Sequence, residues 1–144
     1  MTTAIDTNIL VALWDEDNTL NLMAQASLDA ALGRGSLAIP GSVFAELLAC
    51  PGRSEEFVNS FLRETGIAVD WELEEPIWRA AVRAYQSYAS RRRKQGDTGA
   101  RRILSDFLIG AYAQVRGYRL LTLDERIYQA AFPGLRLTVP KAQR

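Results

Sequence analysis

Short apolar runs alternate along the chain with longer segments whose apolar residues recur at helical spacing. Five of the apolar runs predict buried strands, at residues 1–6, 37–39, 67–71, 119–122 and 135–139. The longer segments predict helices, at residues 7–14, 18–32, 42–49, 54–65, 76–93, 101–116 and 124–132. Strands that alternate with helices favour an α/β fold with a mostly parallel five-stranded sheet and helices on both of its faces.

Residues that start or stop helices support several of these boundaries. Ser54 is predicted to cap the helix that it begins, and Gly66 to end that helix. Ser42 is predicted to cap the helix after the second strand, and Asp6 or Thr7 to cap the first helix.

Length and composition limit the kinds of chemistry that are available. The 144 residues predict one globular domain, residues 1–140, with a short tail at 141–144. No apolar run approaches the ~18 residues of a membrane span, and no signal peptide is evident, so we expect a cytoplasmic protein. With no histidine and only Cys50, Ser-His-Asp hydrolysis and zinc held by cysteine or histidine are excluded. Catalysis would therefore use carboxylates, hydroxyls, basic residues or a metal held by oxygen.

Four carboxylates lie among apolar neighbours in four separate segments, at Asp6, Glu46, Asp106 and Asp124. Asp6 and Asp124 follow predicted strands, and ligands of parallel sheets bind beyond the carboxyl ends of strands. Glu46 and Asp106 lie about one turn into predicted helices. The helix of Asp106 runs into its strand, so the preceding loop has to bring its first turn over this edge. Oxygen ligands in this number suit Mg²⁺ or Mn²⁺ rather than zinc.

Each of these acids also has a structural explanation. Asp6 and Asp124 could cap helices, and Glu46 could pair with an arginine of a neighbouring helix. Asp106 could pair with Arg102 one turn earlier. Taken together, the four acids favour convergence on a shared divalent cation, since an isolated buried charge is costly to desolvate.

Charge is balanced overall but unevenly distributed. Residues 43–75 hold eight acids and two basic residues, whereas residues 79–102 hold eight basic residues and one acid. Such a basic segment is often a solvated helix end, where cations suit the helix dipole. If the acids cleave a phosphodiester, it becomes a candidate for binding RNA, through Arg91, Arg92, Arg93, Lys94, Arg101 and Arg102.

The segments around the four acids, residues 4–10, 42–47, 103–111 and 121–124, resemble the motifs of PIN-domain ribonucleases of the VapC-type toxin group. The resemblance covers nearly the whole chain and has all four acids in order. It implies a three-layer α/β/α sandwich and an endoribonuclease with Mg²⁺ or Mn²⁺ held by the four acids. Thr7, Asn8 and Thr122 match positions that support the first and fourth acids.

The resemblance also implies partners and a mechanism. A metal-activated water would hydrolyse RNA phosphodiesters, and the protein would be the toxin of a toxin–antitoxin pair, a homodimer controlled by a small antitoxin. Two alternatives remain at this point. One is a non-catalytic binding domain of the same fold. The other is a haloacid-dehalogenase-type phosphatase, which needs a second aspartate where this chain has Asn8.

Overall fold

The computed structural model describes residues 1–17, 19–96 and 104–141. Its strands are β1 (Thr2–Ile5), β2 (Ser36–Pro40), β3 (Ile67–Asp70), β4 (Arg119–Leu121) and β5 (Leu137–Thr138). The helices within these ranges are α1 (Thr7–Trp14), α2 (Asn21–Arg34), α3 (Gly41–Ala49), α4 (Glu55–Thr65), α5 (Glu75–Gln95), α6 (Leu104–Arg116) and α7 (Glu125–Ala131). The predicted alternation of strands and helices is confirmed. No helix in these ranges is long and apolar enough to cross a membrane.

The strands form one parallel sheet in the order β3-β2-β1-β4-β5. β1 is the central strand, and its Ala4 is paired with Ala38 on one side and Leu120 on the other. Ala4 and Ile5 are completely buried, as expected for a strand covered on both faces. The sequence therefore places Asp6, the residue after β1, at the middle of the carboxyl edge.

The connections place the helices in two layers. From β1 the chain moves outward to β2 and then β3, and it returns across the sheet to β4 and β5. Parallel crossovers are right-handed, so the outward connections put α1 to α4 on one face and the return connections put α5 to α7 on the other. The fold is thus the three-layer α/β/α sandwich that the family resemblance implied.

Two of the predicted helix ends are confirmed. The Phe57 backbone N–H donates to the Ser54 hydroxyl at 3.0 Å, and Gly66 ends α4 in the left-handed conformation with φ of 71°. The predicted cap at Ser42 is wrong, and the one at Asp6 is confirmed in position only. α3 begins at Gly41 directly after the strand, so Ser42 already lies inside the helix. Asp6 holds the cap position of α1, but its side chain makes no capping hydrogen bond.

The second helix begins later than its apolar pattern predicts. Its first residue is Asn21 rather than residue 18, which lies outside the described ranges. The buried Asn21 amide donates to the carbonyls of Ala12 and Leu13 at 3.0 and 3.1 Å. It thereby satisfies carbonyls at the end of α1, so α2 starts where this side chain closes the preceding helix.

Close packing between α6 and the end of α7 depends on a glycine. A Cβ built on Gly110 would lie 2.3 Å from the nearest ring atom of Phe132, which is 3% exposed. A Cβ built on Gly33 in α2 would have no other atom within 4 Å. Both glycines are helical, so the two sites differ in packing rather than in backbone conformation.

We therefore expect alanine to have opposite effects at these two glycines. Gly110→Ala should lower the free energy of unfolding by about 1–3 kcal/mol, because a methyl group is forced into a filled core. Gly33→Ala should raise it by about 0.5–1 kcal/mol through helix propensity alone. Urea denaturation of both variants measures this, and equal stabilisation by both would contradict the packing of α6 against Phe132.

Candidate functional site

The carboxyl edge of the sheet has a crevice between β1 and β4. The chain leaves β1 in one direction and β4 in the other, and this reversal of strand order is where parallel sheets bind ligands. Asp6 follows β1, and its backbone N–H donates to the Leu121 carbonyl at 2.9 Å. Thr122 and Asp124 follow β4. The topology therefore brings Asp6, Thr122 and Asp124 to the same crevice.

Asp6 is 4% exposed, and its carboxylate is held by three side chains. Oδ2 accepts hydrogen bonds from the Thr122 hydroxyl at 2.8 Å, the Tyr128 hydroxyl at 2.9 Å and the Asn8 amide at 3.4 Å. The side-chain oxygen Oδ1 of Asn8 in turn accepts a hydrogen bond from the Leu123 backbone N–H at 3.2 Å. Every side-chain donor to Asp6 from the described residues falls on Oδ2, so these contacts leave Oδ1 available to a ligand.

Glu46 is held in a similar way by two hydroxyls. Its Oε1 accepts from Thr7 at 2.8 Å and from Ser105 at 2.6 Å. No described lysine or arginine pairs with Glu46, so the alternative of an arginine partner has no support among the residues that the structure describes. Ser105 lies in the first turn of α6, next to Asp106. The first turn of α6 therefore reaches the edge where Glu46 lies, as the sequence-based hypothesis required.

Asp106 and Asp124 complete the acidic edge. Both are half-buried, and the negative charges of Asp6, Asp106 and Asp124 all act on the Tyr128 hydroxyl. Asp124 holds the cap position of α7 without a capping hydrogen bond from its side chain. Its backbone N–H instead donates to the Thr122 hydroxyl at 3.0 Å. Tyr128 thus lies within electrostatic reach of three of the four acids, and it donates directly to Asp6.

Burial raises the pKa of Asp6 above its usual value of 3.8. The hydrogen bonds from Thr122 and Tyr128, with a backbone bond involving Thr7, lower this pKa in part, and the negative charge of Glu46 raises it further. The ionised form of Asp6 is therefore less stable in the fold than in water. No described cation pairs with Asp6 to offset this.

The Tyr128 hydroxyl is a permanent donor in this site. Burial raises its pKa far above the usual 10, and the charges of Asp6, Asp106 and Asp124 raise it further. Tyr128 is completely buried, so its hydroxyl stays protonated and keeps its hydrogen bond to Asp6 at physiological pH. Its function is to fix the carboxylate rather than to exchange protons.

The donor set fits a divalent cation such as Mg²⁺ or Mn²⁺. The side-chain donors to Asp6 all fall on one of its oxygens, and those to Glu46 do the same, which leaves the second oxygen of each without a side-chain donor from the described residues. Within the described ranges, however, no group of three acidic or sulfur side chains is arranged so that it holds an ion. Repulsion among clustered carboxylates opposes a closer approach until a cation neutralises them.

The basic segment lies at the same end of the molecule as the acids. α5 and α6 are antiparallel, because Arg116 at the end of α6 pairs with Glu74 at the start of α5 at 2.8 Å. The rings of Tyr88 and Phe107, near their other ends, are 5.3 Å apart. The last turns of α5 therefore adjoin the first turn of α6. These turns carry Arg91, Arg92, Arg93 and Lys94, whereas Arg101 and Arg102 lie outside the described residues.

Sequence reasoning missed two residues of this site. Tyr128 is 122 positions from the acid that it holds, and Ser105 is 59 positions from Glu46. A local signal exists for both. Tyr128 follows Asp124 by four residues, which places it on the same face of a helix, and Ser105 adjoins Asp106. Because such spacing is common in any helix, the signal identifies these residues only once the acids are known to converge.

Comparison with known proteins agrees with this architecture. A model of the PIN domain matches residues 3–133. No curated protein matches the chain. Among solved structures, a toxin-antitoxin complex from Klebsiella pneumoniae is 20% identical, with a TM-score of 0.67, over 96% of this chain and 98% of that chain.

Two further structures are similar over nearly their full length. VapBC2 from Rickettsia felis, bound to a DNA fragment from its promoter, is 19% identical with a TM-score of 0.64, over 98% of this chain and 100% of that chain. VapBC-1 from nontypeable Haemophilus influenzae is 21% identical with a TM-score of 0.63, over 96% and 98%. At these identities the likeness concerns the fold.

Proposed function

We propose that this chain, which belongs to the PIN domain family, is a metal-dependent endoribonuclease. The observation that carries the proposal is the bonding of Asp6, a buried carboxylate whose three side-chain hydrogen bonds all fall on one oxygen. Such an arrangement orients the second oxygen for a ligand. The ligand that an uncompensated carboxylate in an acidic crevice favours is a cation.

Asp6, Glu46, Asp106 and Asp124 are the residues that would hold Mg²⁺ or Mn²⁺. When bound, the ion supplies a water activated for attack on phosphorus and stabilises charge on the leaving oxygen. Hydrolysis by water does not need the ribose 2′-hydroxyl, and with the 3′ oxygen as the leaving group the bond between phosphorus and that oxygen breaks, which gives a 5′-phosphate and a 3′-hydroxyl.

The remaining polar residues position these acids. Thr122, Tyr128 and Asn8 fix Asp6, so that it does not rotate when the charge of the substrate arrives. Thr7 and Ser105 fix Glu46 in the same way. Orienting ligands before substrate binds reduces the reorganisation that the reaction requires.

The two alternatives are less consistent with these contacts. A binding domain that kept its acids for stability would not bury Asp6 where its charge is unfavourable. A phosphatase of the haloacid-dehalogenase type needs a proton donor at the position of Asn8. Asn8 is an amide, and both of its ends are engaged, with Asp6 and with Leu123.

A toxin role with a protein partner is part of the proposal. Its support is that structures similar to this chain are VapBC complexes and a toxin-antitoxin complex. We propose a small antitoxin as the partner, a homodimer as the assembly, and RNA as the substrate. The basic residues at the end of α5, with Arg101 and Arg102, are proposed to hold the RNA backbone.

The order of stability of wild type and Asp6→Asn should reverse when metal is added. The pKa of Asp6 is higher in the folded than in the unfolded chain, so its contribution to stability falls as pH rises from about 3.8 through the folded pKa. In EDTA at pH 7, Asp6→Asn should therefore raise the free energy of unfolding, because it removes a charge that burial disfavours. With Mn²⁺ at about 100 times its Kd, wild type should gain about 2.7 kcal/mol and the variant little.

Urea denaturation in EDTA and in Mn²⁺ measures both halves of this prediction. Asp29→Asn, on the exposed face of α2, is the matched control and should behave as wild type. At pH 3, where Asp6 is protonated, the advantage of the variant in EDTA should vanish. An equal gain from Mn²⁺ in wild type and in Asp6→Asn would place the cation elsewhere.

A further inference from the structure

A cavity of about 220 Å³ lies between the last turns of α5 and the helix α7. Three arginines from two helices line it, and none of the described acidic residues does. Its main lining residues are Arg91, Arg92, Arg126, Tyr88, Gln95 and Ile127. We refer to this cavity as the arginine cleft. It combines a part of the basic segment with Arg126, which lies far from that segment in the sequence.

Two of the three arginines in the cleft have no acidic partner among the described residues. Arg91 and Arg126 make no hydrogen bond or ion pair with any other residue that the structure describes. Arg92 is oriented by Tyr88, whose hydroxyl accepts from Nη1 at 3.3 Å and whose ring centroid is 5.7 Å from the guanidinium. Like charges that share a cleft repel one another, so an anion bound between them would relieve this repulsion.

The arginine cleft adjoins the acidic crevice through both of its walls. On α7, Arg126 and Ile127 line the cleft, and the next residue, Tyr128, donates to Asp6. On α5, Tyr88 lines the cleft and packs against Phe107, the residue after Asp106. A helix is ~10 Å across. An anion in the cleft therefore lies about that distance from the acids.

We propose that the arginine cleft binds a backbone phosphate of the RNA strand, a few nucleotides from the bond that the acids cleave. This inference rests on the proposed nuclease function and adds Arg126 to the residues that hold substrate. Guanidinium groups match the oxygens of a phosphate bidentately, and a converging set of them selects phosphate over a diffuse negative surface. Within the basic segment, the inference assigns phosphate binding in the cleft to Arg91 and Arg92 only. Arg93 and Lys94 do not line the cleft.

Binding is best measured without cleavage, in the Asp6→Asn chain with EDTA. The probe is a fluorescent 12-nucleotide single-stranded RNA, followed by anisotropy over a series of NaCl concentrations. Arg126→Ala and Arg91→Ala should each weaken binding about 10-fold at low salt and reduce the slope of log K against log salt by about 0.7. Arg93→Ala removes the same charge from a residue that is proposed to attract the RNA backbone from outside the cleft, so it should weaken binding by a smaller factor, less than about 3-fold.

Arg63→Ala, on the opposite layer in α4, should change nothing, and circular dichroism checks that each variant is folded. If Arg93→Ala and Arg126→Ala lost RNA affinity equally, binding would depend on the overall positive charge rather than on the cleft, and the proposal would be overturned. A polyglutamate peptide that displaces the probe as well as unlabelled RNA does would also overturn it, in favour of an acidic protein segment.

The proposal for the cleft and the proposal for the nuclease function can be contradicted independently of each other. If Arg126→Ala in the otherwise native chain binds and cleaves RNA as wild type does, the cleft is wrong and the nuclease stands. If the native chain does not cleave RNA with either metal, yet Arg126→Ala loses RNA binding, the nuclease is wrong and the cleft stands.

Discussion

Asp6→Asn is expected to abolish RNA cleavage while the chain stays folded. The asparagine keeps an oxygen that can accept the hydrogen bonds of Thr122 and Tyr128, so the crevice should retain its shape. It loses the charge that binds the cation, and we expect the rate to fall on the order of 1,000-fold or more. Glu46→Gln and Asp106→Asn should have losses of similar size.

Cleavage of a labelled single-stranded RNA by purified variants, with circular dichroism of each, measures this prediction. Asp29→Asn is again the control, since it removes an exposed carboxylate from α2 and should leave the rate unchanged. If the Asp106→Asn variant cleaved RNA at the wild-type rate, Asp106 would not be part of the catalytic site. Loss of the folded signal in Asp6→Asn would instead show that the carboxylate has a structural role.

Expression of the chain alone should arrest the growth of a bacterial host. The argument is that an endoribonuclease whose acidic crevice is open to RNA degrades transcripts unless another chain blocks it. In the proposed site, carboxylates from four segments share this edge of the sheet, and a guanidinium would bond two of them at once in place of the metal. A small partner that inserts an arginine there would inhibit cleavage and reduce Mg²⁺ binding.

Colony counts after induction measure the effect, which we expect to exceed about 100-fold, with Asp6→Asn as the inactive control. Co-expression of the small protein encoded beside this chain should restore growth and yield a stable complex. If the wild type is harmless at a level where purified protein cleaves RNA, the toxin role is wrong and only the nuclease remains.

The fold could be predicted from the sequence because its strongest signals are local. Short buried strands and amphipathic helices have different apolar periods, and the right-handed crossover then fixes the layers. Helix ends were less predictable. Ser54 caps its helix as predicted, but Ser42 does not, because Pro40 ends the strand one residue before the helix begins. The start of α3 is therefore set by the end of β2 rather than by the preference of serine for the cap position.

The placement of two of the acids at one edge of the sheet was predictable, and the side chains that hold them were not. Asp6 and Asp124 follow strands whose ends must meet at one edge, so their positions follow from topology. Tyr128 holds Asp6 across 122 positions. The spacing of Asp124 and Tyr128 alone does not identify this contact, because it also depends on how α7 packs against α5 and α6. The same holds for Arg126, whose role depends on the space between two helices.

The most direct test of the metal site is an RNA cleavage assay with chelation and rescue. Wild-type chain would be mixed with an end-labelled single-stranded RNA in Mg²⁺ and quenched with EDTA, and then supplied with excess Mn²⁺. The proposal predicts that cleavage stops with EDTA, resumes with Mn²⁺ and leaves 5′-phosphate ends, and that Asp6→Asn is inactive throughout. Cleavage that continues unchanged in EDTA, or products that end in a 2′,3′-cyclic phosphate, would contradict it.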